Sequence, residues 1–127
     1  MRVQLRPSRP EDFAALADLV DGGPAYRVRS ITALLDGEVV GIGGLIYRPN
    51  GEVWASMALR EGARRYRTLV HRCGRAGMRL IKQSGARCVY AKAQPGNAAA
   101  ERWLERFGFR RHAGDTFVWR RDAADHR

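Results

Sequence analysis

Residues 97–109 read NAAAERWLERFGF, and their reading decides the fold. Asn97 is a favoured helix cap, because its side-chain oxygen can accept from an amide of the first turn. Ala100, Trp103, Leu104 and Phe107 recur at helical spacing and give residues 98–107 one apolar face. Gly108 ends that helix in the way C-terminal glycines do, and Phe109 opens the next segment. Just upstream, ARCVYAKA (86–93) is a short apolar strand, broken by Gln94-Pro95-Gly96. A strand therefore leads through a short capped helix into another strand.

Working outward, residues 63–83 form the longest predicted helix. Tyr66, Leu69, Val70, Cys73, Gly77, Leu80 and Ile81 should face a sheet, with Arg64, Arg67, His71, Arg75, Arg79 and Lys82 on the other side. Gly74 and Gly77 lower helix propensity, which close packing of helix on sheet would explain. Three strands precede it, at 27–35, 38–47 and 52–59. Asp36-Gly37 is a strong two-residue hairpin signal, and Arg48-Pro49-Asn50-Gly51 is a second turn. Gly41, Gly43 and Gly44 inside a strand suggest a bulge or a close approach of backbone or ligand.

The chain opens with a strand at 2–7. A helix follows from Pro10, preceded by Ser8 or Arg9, with Glu11 and Asp12 at the positive end of its dipole. Phe13, Leu16, Leu19 and Val20 share its apolar face, and Asp21-Gly22-Gly23-Pro24 ends it. FRRH and TFVWRR read as a closing hairpin around Ala113-Gly114-Asp115, and 122–127 as a polar tail. This order predicts one α/β domain over 1–121, with a mixed sheet and helices on both faces.

The 127 residues suit one domain, and 45% of them are hydrophobic, enough for a core. The start lacks the apolar run of a signal peptide, no stretch is long enough to span a membrane, and no metal-ligand spacing joins Cys73 and Cys88. A reduced, cytoplasmic protein without metal is the simplest expectation. The formal charge is +10, and Lys82 and Lys92 are the only lysines. Two readings of this charge stay open, a patch that binds nucleic acid or another polyanion and the arginine-rich composition of a GC-rich genome.

The order of elements resembles the GNAT N-acetyltransferase superfamily over nearly the whole chain. LRPSRPEDFAAL is similar to its opening strand and helix, ALLDGEVVGIGGL to its second and third strands, and NAAAERWLERFGF to its late Asn, helix and Gly-Phe signature. The resemblance implies a mostly antiparallel sheet of six to seven strands, with the fourth and fifth parallel and splayed around acetyl-CoA. It implies direct acyl transfer to an amine, the acceptor being unknown and a protein being one candidate. Met57, Ala58 and Leu59 would line the pantetheine arm. Arg60, Gly62, Ala63, Arg64 and Arg65 would hold the pyrophosphate, and Asn97 would lie near the pantetheine or the adenosine end. Glu52, at the start of the fourth strand, is the candidate base, with a solvent-facing glutamate as the alternative.

Three features depart from the superfamily. REGARR (60–65) sets Arg and Gly one residue closer than the usual phosphate loop. Leu104 stands where many members have an acidic tyrosine; Tyr66 and Tyr90 are substitutes by location only. The link between the first helix and the second strand is short where a second helix usually shapes the acceptor pocket. VWASMAL, ARRYR and WLERFGF also resemble pieces of phage-encoded GNAT-like proteins, including virion proteins. That resemblance implies the alternative, a catalytically silent structural or virion module with nucleic-acid or virion partners.

Overall fold

Two hairpins arise where the turn residues predict them. In this computed structural model, which describes residues 2–18, 27–93 and 96–121, strands β2 (Arg27–Leu35) and β3 (Glu38–Tyr47) meet at Asp36 and Gly37. Both turn residues have positive φ, 51° and 85°, as a tight primed turn requires. The Asp36 carboxylate accepts from the Arg2 amide at 2.7 Å and ties the turn to the chain start. Strand β4 (Val53–Leu59) follows the second turn, where the Gly51 amide donates to the Arg48 carbonyl at 3.0 Å. β1 (Val3–Pro7) pairs antiparallel with β2.

The remaining elements are α1 (Pro10–Ala15), a 3-10 turn (Glu61–Ala63), α2 (Arg67–Ser84), β5 (Cys88–Lys92), α3 (Ala98–Arg106), β6 (Arg110–Ala113) and β7 (Thr116–Arg120). They complete one seven-stranded sheet in the order β1-β2-β3-β4-β5-β7-β6, in which β4 and β5 are parallel and the other pairs antiparallel. The cause is the β4–α2–β5 crossover, since only a crossover can join parallel neighbours. Leu19 and Val20 of the predicted first-helix face, the Asp21–Pro24 stop, Gln94-Pro95 and the polar tail lie outside the described residues.

The glycine run in β3 reflects both reasons anticipated for it. A bulge beside it sets Val40 between the pairs Ala33↔Gly41 and Leu34↔Val39. Close approach explains the glycines themselves. A Cβ on Gly41 would stand 2.3 Å from Leu59 Cδ2, and one on Gly44 would stand 2.1 Å from the Arg29 carbonyl oxygen.

One face of the sheet carries Ala33, Leu45, Leu59, Val89, Ala91, Phe117 and Trp119, all buried, under α2 and α3. The other face is covered by α1 over β2 and β3, and its centre is polar. Asp12, 1% exposed, accepts from both Arg6 guanidinium nitrogens (2.7 and 2.9 Å), the Thr32 hydroxyl (2.8 Å) and the Arg9 amide (2.7 Å). A helix-dipole carboxylate in the sequence reading is thus the buried pin between α1, β1 and β2. Two boundaries also move. α1 stops at Ala15, and α2 begins at Arg67, not 63, because Tyr66 is extended (φ −88°, ψ 97°) behind the 3-10 turn.

The Arg6 hydrogen bonds, reinforced by the Arg9 amide and Thr32, outweigh burial and hold the Asp12 carboxyl well below its usual range. Its contribution to stability should be complete above the unfolded carboxyl value of about 4 and should fade as pH falls toward the folded value. Asp12→Ala should cost about 3 kcal/mol at neutral pH, because it leaves Arg6 and Thr32 without their acceptor. Asp12→Asn should flatten the acid limb of the stability profile. Urea midpoints at neutral and acid pH check both.

Candidate functional site

The site begins with a strand pair that barely pairs. β4 and β5 meet at one register position, Trp54↔Tyr90. Beyond it β5 keeps to β7, with Ala91↔Phe117 and the Ala93 amide on the Asp115 carbonyl at 3.0 Å, while β4 stays on β3 through Leu59. The two strands diverge, and the backbone groups of β4 that face β5 above Trp54 lie along an open edge.

A cleft of about 380 Å³ fills this divergence and is lined from both faces of the sheet, under α2 and α3 and beside Arg48 and Trp54. Its lining includes Ala55, Met57 and Leu59 from β4, Ala91 and Lys92 from β5, Cys73, Gly74 and Gly77 from α2, and Trp103 from α3. Two glycines on one helix serve different ends here. A Cβ on Gly74 would stand 2.5 Å from the Phe107 ring and 2.9 Å from Trp103, so Gly74 is where α3 docks. A Cβ on Gly77 would meet nothing within 4 Å. The Trp103 indole N–H is buried and has no acceptor among the described residues. Such a donor is costly unless a ligand or water completes it.

Of the expected cleft residues, Met57 and Leu59 line it, and Met57 is 40% exposed. Ala58 pairs with Ile42, and strand alternation puts it on the α1 face. Asn97 is engaged as the α3 cap, accepting from the Ala100 amide at 3.0 Å. Arg60 donates to both Asp18 carboxylate oxygens, at 2.8 and 3.1 Å, and to the Ala15 carbonyl, which ties it to the chain around α1.

The start of α2 offers a different environment. Tyr66, its cap residue, supplies no side-chain cap, and first-turn amides have no partner within a helix. Arg64, Arg65 and Arg67 are exposed around this turn, Gly62 is exposed and Ala63 is buried beneath. Arg65 donates to the Tyr66 hydroxyl at 3.0 Å and stacks over its ring at 5.1 Å.

Beside the Trp54↔Tyr90 pair, on the face away from α2, lies an aromatic and charged cluster. Trp54 and Tyr90 have ring centroids 5.4 Å apart, and His112 meets Tyr90 edge-on at 5.8 Å. Arg48 stacks over Trp54 at 4.3 Å, with the Lys92 ammonium 5.9 Å away. Glu52 accepts from Asn50 Nδ2 at 3.1 Å and from Trp54 Nε1 at 3.2 Å. The Asn50 bond first, then Trp54 and the nearby Arg48, lower its carboxyl below the ordinary value, which makes Glu52 a weak base. His112 and Lys92 are the members of this cluster that sequence reasoning missed. Alternation within each strand was the available signal, but the pairing across strands was not.

Leu104 is buried, so the position of the usual acid holds an apolar side chain packed in the core. His71 is exposed and packs near Phe107, with ring centroids 6.0 Å apart. Burial pushes the Cys73 thiol up to about 11, so at neutral pH it is protonated and a poor nucleophile.

The sequence matches no family model and no curated protein. Among solved structures, the chain is similar to the aminoglycoside acetyltransferase AAC(6')-Ib in complex with coenzyme A and kanamycin. The identity is 17% and the TM-score 0.71, over 98% of each chain. It is similar to a chimera of the spermidine N-acetyltransferase SpeG from Vibrio cholerae and hSSAT, at 10% identity and a TM-score of 0.75 over the full length of both. An acetyltransferase of the GNAT family from Staphylococcus aureus matches at 11% identity and a TM-score of 0.71, over 94% of this chain and 99% of that one. The protein has the GNAT fold.

The two α2 glycines should respond oppositely to one added methyl group. Gly74→Ala should cost about 1–3 kcal/mol by overpacking against Phe107 and Trp103. Gly77→Ala should add roughly 0.5–1 kcal/mol, because alanine favours the helix and meets nothing there. Denaturant midpoints of the two variants give the comparison.

Proposed function

We propose that this protein is an acyl-CoA-dependent N-acyltransferase that transfers an acetyl or related group directly to an amine. The observation that carries the reading is the cleft where β4 and β5 diverge, because it combines an open strand edge with an unsatisfied indole N–H. The β4 edge offers backbone donors and acceptors to the amides of a pantetheine arm, and Met57 and Leu59 offer it an apolar wall. The Trp103 N–H would donate to one of its carbonyl oxygens. The uncapped first turn of α2, with Arg64 and Arg65 beside it and Gly62 in the preceding turn, suits a pyrophosphate. Arg60 shapes that loop through Asp18. The likeness to N-acetyltransferases, one of them bound to coenzyme A, supports the same reading.

The chemistry asks little more of the protein. The neutral amine attacks the thioester carbonyl carbon, the C–S bond breaks, and the thiolate leaves with the electron pair. The amine loses its proton to water, and water reprotonates the thiolate, which is a fair leaving group without an acid at position 104. Glu52, at the open face beside Trp54, keeps its charge and serves better to attract an ammonium group than to remove a proton. Cys73, protonated and half-buried, takes no part as a nucleophile.

A catalytically silent module of a larger particle is the second reading. The observations behind it are the apolar Leu104 and the engagement of Arg60 by Asp18, which leave both the acid position and one phosphate-loop arginine without their usual use.

Acetyl-CoA at a hundred times its dissociation constant should stabilise the fold by roughly 2.7 kcal/mol, seen as a raised melting temperature. Arg64→Glu with Arg65→Glu should abolish the shift. Trp103→Phe should weaken binding about tenfold, with the packing lost against Gly74 and Phe107 read separately from the melting temperature without ligand. Asn97→Ala should lower stability by about 1 kcal/mol through the lost cap. No shift at millimolar acetyl-CoA with the protein folded would overturn the proposal. Binding with no thiol released in the presence of any amine in a broad panel would favour the silent module.

A further inference from the structure

A second groove, of about 520 Å³, runs along α2 against the β1 and β2 strands. Its floor includes Leu5, Ile31 and Leu80, and Arg29, Arg72, Arg75 and Arg79 line it. Arg6 also reaches it, already neutralised by Asp12. Among the described residues, no acidic one contributes to the lining.

Four arginines converge on this one groove. Elsewhere some arginines are paired with carboxylates, Asp12 on Arg6, Asp18 on Arg60 and Glu101 on Arg111, and Arg121 is held by the Ala86, Ile81 and Lys82 carbonyls. Among the described residues, none of the four groove arginines has an acidic partner. Arg29 donates to the Gln83 side-chain oxygen at 3.3 Å and Arg72 to the Val3 carbonyl at 3.1 Å, which orients both guanidiniums without neutralising them. Arg75 and Arg79 are exposed one turn apart on α2. Four like charges kept together repel one another, and an anion relieves that cost.

The shape selects the anion. Residues four apart on a helix are separated by a rise of about 6 Å, comparable to the spacing of successive phosphates along one nucleic-acid strand. Planar guanidiniums bind phosphate oxygens in pairs. The groove lies between a helix and the sheet, its volume of about 520 Å³ suits one strand's backbone, and its apolar floor suits sugar edges. No aromatic residue lines it, so nothing there stacks on a base or reads one.

We propose that this groove binds the sugar–phosphate backbone of single-stranded nucleic acid without sequence preference. The proposal stands apart from acyl transfer, since the groove shares Leu5, Ile31 and Leu80 with the cleft between β4 and β5 but none of its four arginines lines that cleft.

Fluorescence anisotropy of the full chain with a labelled single-stranded oligonucleotide of mixed sequence, across a salt series, tests it. The logarithm of affinity should fall linearly with the logarithm of salt, by about 0.7 for each phosphate neutralised. Arg75→Gln with Arg79→Gln should weaken binding and reduce that slope by about 1.4. Arg102→Gln with Arg106→Gln removes the same charge from α3 and should leave the slope unchanged. Saturating acetyl-CoA should not displace the strand.

Equal losses in the two double variants would reduce the effect to general charge and overturn the proposal. So would displacement by acetyl-CoA, tighter binding of the matching duplex, or binding to anionic vesicles alone. All four substitutions lie at exposed positions, and circular dichroism of each variant confirms that its fold is intact.

Discussion

The cleft of this protein depends on one economical strand contact. β5 has two neighbours, but it commits to only one of them. Five register pairs hold it to β7, and one pair, Trp54↔Tyr90, holds it to β4. A fully paired β4 and β5 would close the sheet and leave no edge along which an extended ligand could pair. A sheet with no contact at all would separate into two halves. The single pair fixes a pivot, above which the strands part and α2 and α3 roof the gap.

The helices keep that gap open by the choice of small residues. Gly74 lets Phe107 and Trp103 come against α2, which fixes α3 close enough to form a wall. Gly77 has no such neighbour and leaves space. The Trp103 indole N–H is buried with no acceptor among the described residues. A donor left in this condition weakens the free protein and favours whatever can satisfy it, so part of the cost of folding reappears as affinity.

Charge is distributed by a similar division. Some arginines that hold the fold together have carboxylates, the firmest being Arg6 on the buried Asp12 beneath α1, and Arg121 has backbone carbonyls instead. Arginines outside these ion pairs gather at the start of α2 and along the groove beside β1 and β2. The two regions lie at different parts of one helix, one beside the amides of its first turn and the other along a row of guanidiniums.

Much of the fold was legible in the sequence because its signals are local. Asp36-Gly37 can turn tightly with two positive φ angles, Asn97 can cap a helix and Gly108 can end one, whatever surrounds them. From these punctuation marks, and from apolar spacing at 2 or 3.6 residues, the order of strands and helices follows. Resemblance to a known fold then supplied the splay between the fourth and fifth strands. What tertiary structure alone decided are meetings between distant residues. Asp12 looked like a helix-dipole residue until Thr32 and Arg6 closed around it. Arg60 looked like a phosphate ligand until Asp18 claimed it. Ala58 fell on the wrong face for the cleft, and α2 started late because Tyr66 is extended. The four arginines of the second groove come from two elements joined by no sequence pattern. Periodicity reports which face of an element is apolar, but partners are chosen by register and packing, and these are settled only when the whole sheet is assembled.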